Sequence, residues 1–182
     1  AAAIGKKPWV VFLGDFIDRG PHSHEVMLRL FDYLGDHTDT TCAILGNHDD
    51  GFGFDEEGGR FYSRMRPCEY PEWLNENLDN ELAVQTGKLA AQFFKKIPNA
   101  FFLPDGLIVA HGCVPHTDIT PKLASEEDFN QELALKDFVN ARIDPHAPKK
   151  LPDRYSSTHE LGRENFDLFC EKATEILEQP VQ

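Results

Sequence analysis

An α/β layered fold is predicted by three short apolar runs and by the helical periods that lie between and after them. The runs are Trp9–Leu13 (WVVFL), Thr41–Leu45 (TCAIL) and Leu107–Ala110 (LIVA). Each is continuous rather than alternating, which is the pattern of a strand covered on both faces. After the first run, Ser23 can cap a helix through Leu34, with Val26, Leu30 and Leu34 on one face. Leu82, Leu89, Phe93 and Ile97 give a second apolar stripe, and Phe166, Phe169, Ala173, Ile176 and Leu177 a third. Strands alternating with helices define a layered α/β arrangement. The stretches Gly51–Pro71 and Asp144–Ser157 are rich in glycine, proline and charge, and read as long loops.

Composition narrows the class. The 182 residues are 41% hydrophobic and 27% charged, enough for one domain, 1–182, with a sizeable core. A net charge of -13 argues against nucleic acid or an anionic membrane as partner, because both are polyanions. Cys42, Cys68, Cys113 and Cys170 lie far apart without a CxxC pair, so neither a disulfide framework nor a structural zinc site is expected. Free thiols, no secretory signal and no long apolar span give a cytoplasmic expectation. The opening, AAAIGKKPWV, has no methionine, which suggests a fragment. Nothing in the sequence sets the oligomeric state.

The three runs end in chemistry. The first leads into GDFIDRGP (Gly14–Pro21), the second into GNHDD (Gly46–Asp50), and the third directly into His111. In layered α/β sheets, sites form outside the carboxyl ends of the strands. Three parallel neighbouring strands would therefore bring Asp15, Asn47, His48 and His111 together. Carboxylate, amide oxygen and imidazole suit manganese, iron or zinc. Glycines at the tips permit sharp turns closed to other residues. Each residue also has a plain structural reading. Asp18 and Arg19 can be a turn ion pair, Asn47 a turn residue and His111 a structural histidine. His22 and His24 read as surface residues at a helix start. The acidic run Asp49–Gly59 reads as a solvated loop, or as a negative rim that favours basic phosphopeptides.

GDFIDRG, GNHD and a strand followed by HG, in this order, resemble the calcineurin-like metallophosphoesterases. The form GDxxDRG resembles the phosphoprotein phosphatase branch, which includes the serine/threonine phosphatases and their bacterial relatives. The signatures run from Gly14 to Gly112. The resemblance implies a layered β-sandwich flanked by helices. It also implies hydrolysis of phosphomonoesters by a hydroxide bridging two divalent ions (manganese, iron or zinc). Asp15 would bridge the ions, and Asn47 and His111 would bind the second. His48 would act as general acid or position substrate, oriented by Asp18, and Arg19 would grip the phosphate. Arg154 is the candidate for a second phosphate-binding arginine; Arg163 is the other option. The substrate implied is a phosphorylated protein or a small phosphoester.

The departures matter too. The family's Asp-x-His strand before the first motif and its last metal-binding histidine are absent, so the chain is expected to be incomplete at both ends. Asp144 and His146 have the Asp-x-His spacing but read as a decoy in a proline-rich loop. Cys113 stands where the phosphatase branch usually has a second glycine. Two alternatives stay open. One is a dinucleoside polyphosphate hydrolase, whose relatives share RGP but usually lack the acid at Asp18. The other is a non-catalytic scaffold with a decayed metal site.

Overall fold

The computed structural model describes residues 8–150 and 160–181. These form two compact units, one ending at Ile97 and the other starting at Pro98.

The first unit opens with β1 (Val10–Phe12), α1 (Ser23–Asp36) and β2 (Thr41–Ala43). β1 and β2 pair in parallel, Val10 opposite Thr41 and Phe12 opposite Ala43, so α1 is the crossover that parallel pairing requires. Both strand tips therefore face the same way, as the apolar runs imply. The first run is less covered than expected: β1 is half-buried, and Trp9 and Leu13 are exposed. The second run is buried through Ile44 and Leu45. In α1 the buried face is Ser23, Met27 and Leu30, with Val26 exposed. Ser23 does not cap the helix. His22 holds that position without a side-chain bond, and the Ser23 hydroxyl accepts the Asp18 N–H at 3.0 Å.

Gly51–Pro71 is not a long loop. After α2 (Asn47–Gly51), β3 (Phe52–Asp55) and β4 (Arg60–Ser63) form an antiparallel hairpin, and α3 (Glu69–Glu76) follows. Phe61 lies opposite Phe54 and diagonal to Phe52, and the buried Phe52 and Phe61 rings are 5.9 Å apart. Tyr70 and Phe94 pack on Phe52 at 5.5 and 6.0 Å. Burying side chains of this size supplies about 1.5–3 kcal/mol each. The acidic run is divided accordingly. Its end, from Asp55 to Gly59, is the exposed hairpin tip, but Asp49 at its start is fully buried, and Gly51, Phe52 and Gly53 are buried too.

α4 (Glu81–Phe94) is capped by Asn80, whose side chain accepts the Ala83 N–H at 3.2 Å. Its buried face is Ala83, Thr86, Gly87, Ala90, Ala91 and Phe94, while Leu82 and Leu89 of the expected stripe are exposed. Small residues win because the neighbours come close. A Cβ on Gly87 would stand 2.7 Å from the Phe61 ring and 2.8 Å from Leu74.

In the second unit the third apolar run becomes β6 (Ile108–Ala110). Its hydrogen-bonded neighbour is β5 (Ala100–Phe102), antiparallel, in place of the parallel company of β1 and β2 that the sequence suggests. A tight connection explains this: Gly106, at φ 86°, donates to the Leu103 carbonyl and reverses the chain after β5. Two 3-10 turns (Thr120–Lys122 and Glu126–Asn130) lead to α5 (Glu132–Asn140). β7 (Arg142–Ile143) pairs in parallel with β8 (Glu160–Leu161), and α6 (Arg163–Leu177) follows. The α6 stripe matches expectation. Phe169 and Ala173 are buried, with Phe166, Ile176 and Leu177 packed around them. Phe169 meets Phe138 of α5 edge-on at 6.1 Å.

All four cysteines carry free thiols. Burial raises the Cys113 pKa, and the side chain belongs to the core of the second unit. No helix among the described residues is long and apolar enough to cross a membrane.

Candidate active site

Two loops meet at the tips of β1 and β2. Gly14, at φ 82°, and Gly46 lie against each other. A Cβ on Gly14 would come 2.6 Å from Gly46 Cα, and one on Gly46 would come 2.5 Å from Asp15 Oδ1. Only glycine fits at both positions. We expect Gly46→Ala to cost about 1–3 kcal/mol of stability, read as a lower urea midpoint, because the Asp15 backbone must shift to admit the methyl group.

The first loop is strained. Only four described non-glycine residues have positive φ, and three of them are Asp15 (55°), Asp18 (68°) and Arg19 (57°). Such positions cost about 1–3 kcal/mol each and persist only where surrounding contacts over-determine them. The contacts are present. Asp15 N–H donates to Asp49 Oδ2 at 2.7 Å, and Phe16 N–H donates to Asp49 Oδ1 at 3.0 Å. The Asp18 N–H goes to Ser23, as above, and Arg19 N–H donates to Glu69 Oε2 at 3.1 Å. Ile17, 1% exposed, anchors the loop in the core.

Asp49 ties the two loops together. It also accepts Gly46 N–H at 3.0 Å, so three backbone donors converge on one buried carboxylate. Burial pushes its pKa up to about 7, the Asp15 charge adds to this, and the three N–H donors oppose it. Asp49 thus departs from the solvated acidic run that the sequence predicts for Asp49–Gly59. Its position three residues after Gly46, on the first turn of α2, was the available signal.

Asp18 and His48 form a buried pair. His48 Nδ1–H donates to Asp18 Oδ2 at 2.8 Å, with the side chains 1% and 0% exposed. Asp18 Oδ1 accepts the Tyr70 N–H at 3.0 Å, which fixes the carboxylate from α3. With Nδ1 engaged, the imidazole can act only through Nε2. That atom is buried and has no partner among the described residues. An orphaned nitrogen on an oriented ring is a place for a proton donor or for a ligand.

Asp15 completes this side. Its Oδ1 accepts the His48 N–H at 3.1 Å, and its Oδ2 lies 3.7 Å from the Arg19 guanidinium, which is exposed. Asn47 is buried at the first position of α2. Asp15, Asp18, Arg19, Asn47 and His48 are therefore assembled within the first unit. His111 follows β6 in the second unit, where Gly112 N–H donates to the Phe138 carbonyl at 2.7 Å. Arg154 lies outside the described residues. Asp144 accepts its own turn's His146 N–H at 3.0 Å and pairs with Lys150 at 3.0 Å. These contacts occupy its carboxylate in a turn.

Among the described residues, no group of three or more histidine, cysteine or acidic side chains is gathered to hold a metal ion. The carboxylate of Asp15, held against Gly46, and the amide of Asn47 one residue later are nonetheless oxygen donors suited to a divalent cation.

The strand-tip loops and the buried acid–imidazole pair together make up the candidate site. The model of the calcineurin-like phosphoesterase family matches residues 2–174 of the chain. The chain belongs to that family. Its structure is similar to that of a protein serine/threonine phosphatase from Saccharomyces cerevisiae with similarity to human phosphatase PP5. The TM-score is 0.57 at 23% identity, over 92% of this chain and 49% of that one. The chain thus spans about half the length of that protein, and the likeness is one of fold.

Proposed function

We propose that the protein is a metal-dependent phosphomonoesterase of the phosphoprotein phosphatase branch, acting on phosphorylated serine or threonine. The observation that carries this reading is the buried Asp18–His48 pair with its orphaned Nε2, set beside Asp15 and Arg19. A decayed scaffold would have no use for a strained loop held by Asp49, Ser23 and Glu69.

Asp15, Asn47 and His111 are the residues that would hold divalent cations, with manganese, iron or zinc suited to the donors. When bound, such ions activate water and offset phosphate charge. The chain's own residues do the rest. Arg19 binds phosphate oxygens with its planar fork and stabilises the charge that spreads over them. Arg154 is the candidate for a second such contact. Hydrolysis adds a water oxygen to phosphorus and breaks the bond to the serine or threonine oxygen. That leaving oxygen takes a proton from His48 Nε2, and Asp18 holds the imidazolium in orientation and stabilises its charge.

The acid at Asp18 favours this branch over a dinucleoside polyphosphate hydrolase. Parallel rates on a phosphoserine peptide and on diadenosine tetraphosphate, with manganese present, test the assignment. The peptide is expected to be the better substrate by kcat/KM. A clear preference for the dinucleotide would overturn the assignment.

A further inference from the structure

A cavity of about 530 Å³ lies between the first motif with the start of α1 on one side and α3 on the other. We propose that it is a specificity subsite for the arginine or lysine side chain of a phosphoprotein, close in sequence to the phosphorylated residue. This rests on the phosphatase reading above.

Position comes first. Arg19, the proposed phosphate contact, forms part of the wall. A peptide whose phosphate reaches Arg19 therefore has its neighbouring side chains within reach of the cavity.

Charge comes second. Glu25, Glu69, Glu72 and Glu76 line the space. Glu69 is engaged by the Arg19 N–H, and Glu72 lies 3.2 Å from the Arg66 guanidinium. Glu25 and Glu76 are exposed carboxylates at the rim. Four carboxylates against the two guanidinium groups of Arg19 and Arg66 leave an excess of negative charge, which repels a second anion and attracts a cation.

The third observation is aromatic. The Trp73 ring lies in the wall and packs on His24 at 4.8 Å and on Tyr70 at 6.4 Å. Indole is the best of the aromatic faces for a guanidinium, which stacks on it while its edge donates hydrogen bonds. His24, expected at the surface, is half-buried against Trp73.

Acceptors without partners come fourth. Tyr70 is 1% exposed and lines the cavity, yet its hydroxyl has no partner among the described residues; the same holds for His24 Nδ1. Buried polar atoms are seldom left so. Burial lowers the His24 pKa, which favours the neutral ring, and Nδ1 accepts when the ring proton sits on Nε2. A guanidinium offers five donors to these acceptors and to the carboxylates. An apolar ligand would leave them unmet.

The test uses phosphoserine peptides in which arginine, alanine or glutamate is placed in turn at each flanking position, with an aryl phosphate as reference. At one flanking position, arginine is expected to raise kcat/KM over alanine by roughly tenfold, and glutamate to lower it. The Glu25→Gln/Glu76→Gln variant is expected to lose most of that preference while its aryl phosphate activity stays unchanged. Equal rates on arginine and alanine peptides, with aryl phosphate turnover intact, would overturn the subsite and leave the phosphatase reading standing. A preference that survives in the variant would also overturn it. Absence of turnover on aryl phosphate and peptides alike would overturn the phosphatase reading, and the subsite with it.

Discussion

Replacing His48 by alanine is expected to lower kcat on a phosphoserine peptide by roughly a hundredfold or more, the usual scale for loss of a general acid. The alkoxide of serine is a poor leaving group and needs the Nε2 proton. An aryl phosphate, whose leaving group needs little protonation, should lose much less. The side chain is 1% exposed and holds Asp18 at 2.8 Å, so its removal also leaves that carboxylate without its imidazole. Two readouts separate the possibilities. Steady-state rates on alkyl and aryl substrates report the proton transfer, and elemental analysis reports metal content. Equal losses on both substrates would argue against the general-acid role. Loss of metal from the variant would show that His48 is a ligand.

Asp49→Ala is expected to have the largest effect on stability. The substitution strands three backbone N–H groups, those of Asp15, Phe16 and Gly46, at a fully buried position. Each unmet donor costs about 1–3 kcal/mol, and the costs overlap because the loops can relax. A total of about 3 kcal/mol or more is expected, measured by urea denaturation. Asp49→Asn keeps one oxygen acceptor but turns an amide N–H₂ towards a donor, so its loss should be smaller than that of alanine. A variant with alanine as stable as the parent would contradict the clasp. Because the clasp holds the strained backbone at Asp15, activity should fall in step with stability.

The strand-tip motifs were legible because a continuous apolar run ending in glycine and charge is an unusual way to leave a strand. That signal located β1, β2 and the residues Asp15, Asp18, Arg19, Asn47 and His48, which the first unit does bring together. The hairpin of β3 and β4 was missed because its turn, Glu56–Gly59, and its glycines dominate the local composition. Phe52 and Phe54 alternating before it, and Phe61 after it, were the readable evidence. The face of α4 was missed for a different reason. Hydrophobicity favours leucine, whereas the buried face is mostly small residues, and the close approach of Phe61 and Leu74 leaves no room for a Cβ at Gly87. Asp49 was hidden by its neighbours: an acidic run looks solvated, and only the three-dimensional meeting of two loops shows which acid turns inward. The pairing of β6 with β5 was set by the turn at Gly106, which apolar runs alone do not reveal.

Metal dependence is the most direct test of the central claim, that Asp15 and Asn47 serve a cation-assisted phosphoesterase site. The full-length protein would be stripped with a chelator, assayed on an aryl phosphate, then assayed again as manganese is added, alongside Asp15→Ala. The account predicts no turnover when stripped, recovery with added manganese in the parent, and no recovery in the variant. Full activity in the stripped protein, or full recovery in Asp15→Ala, would contradict it.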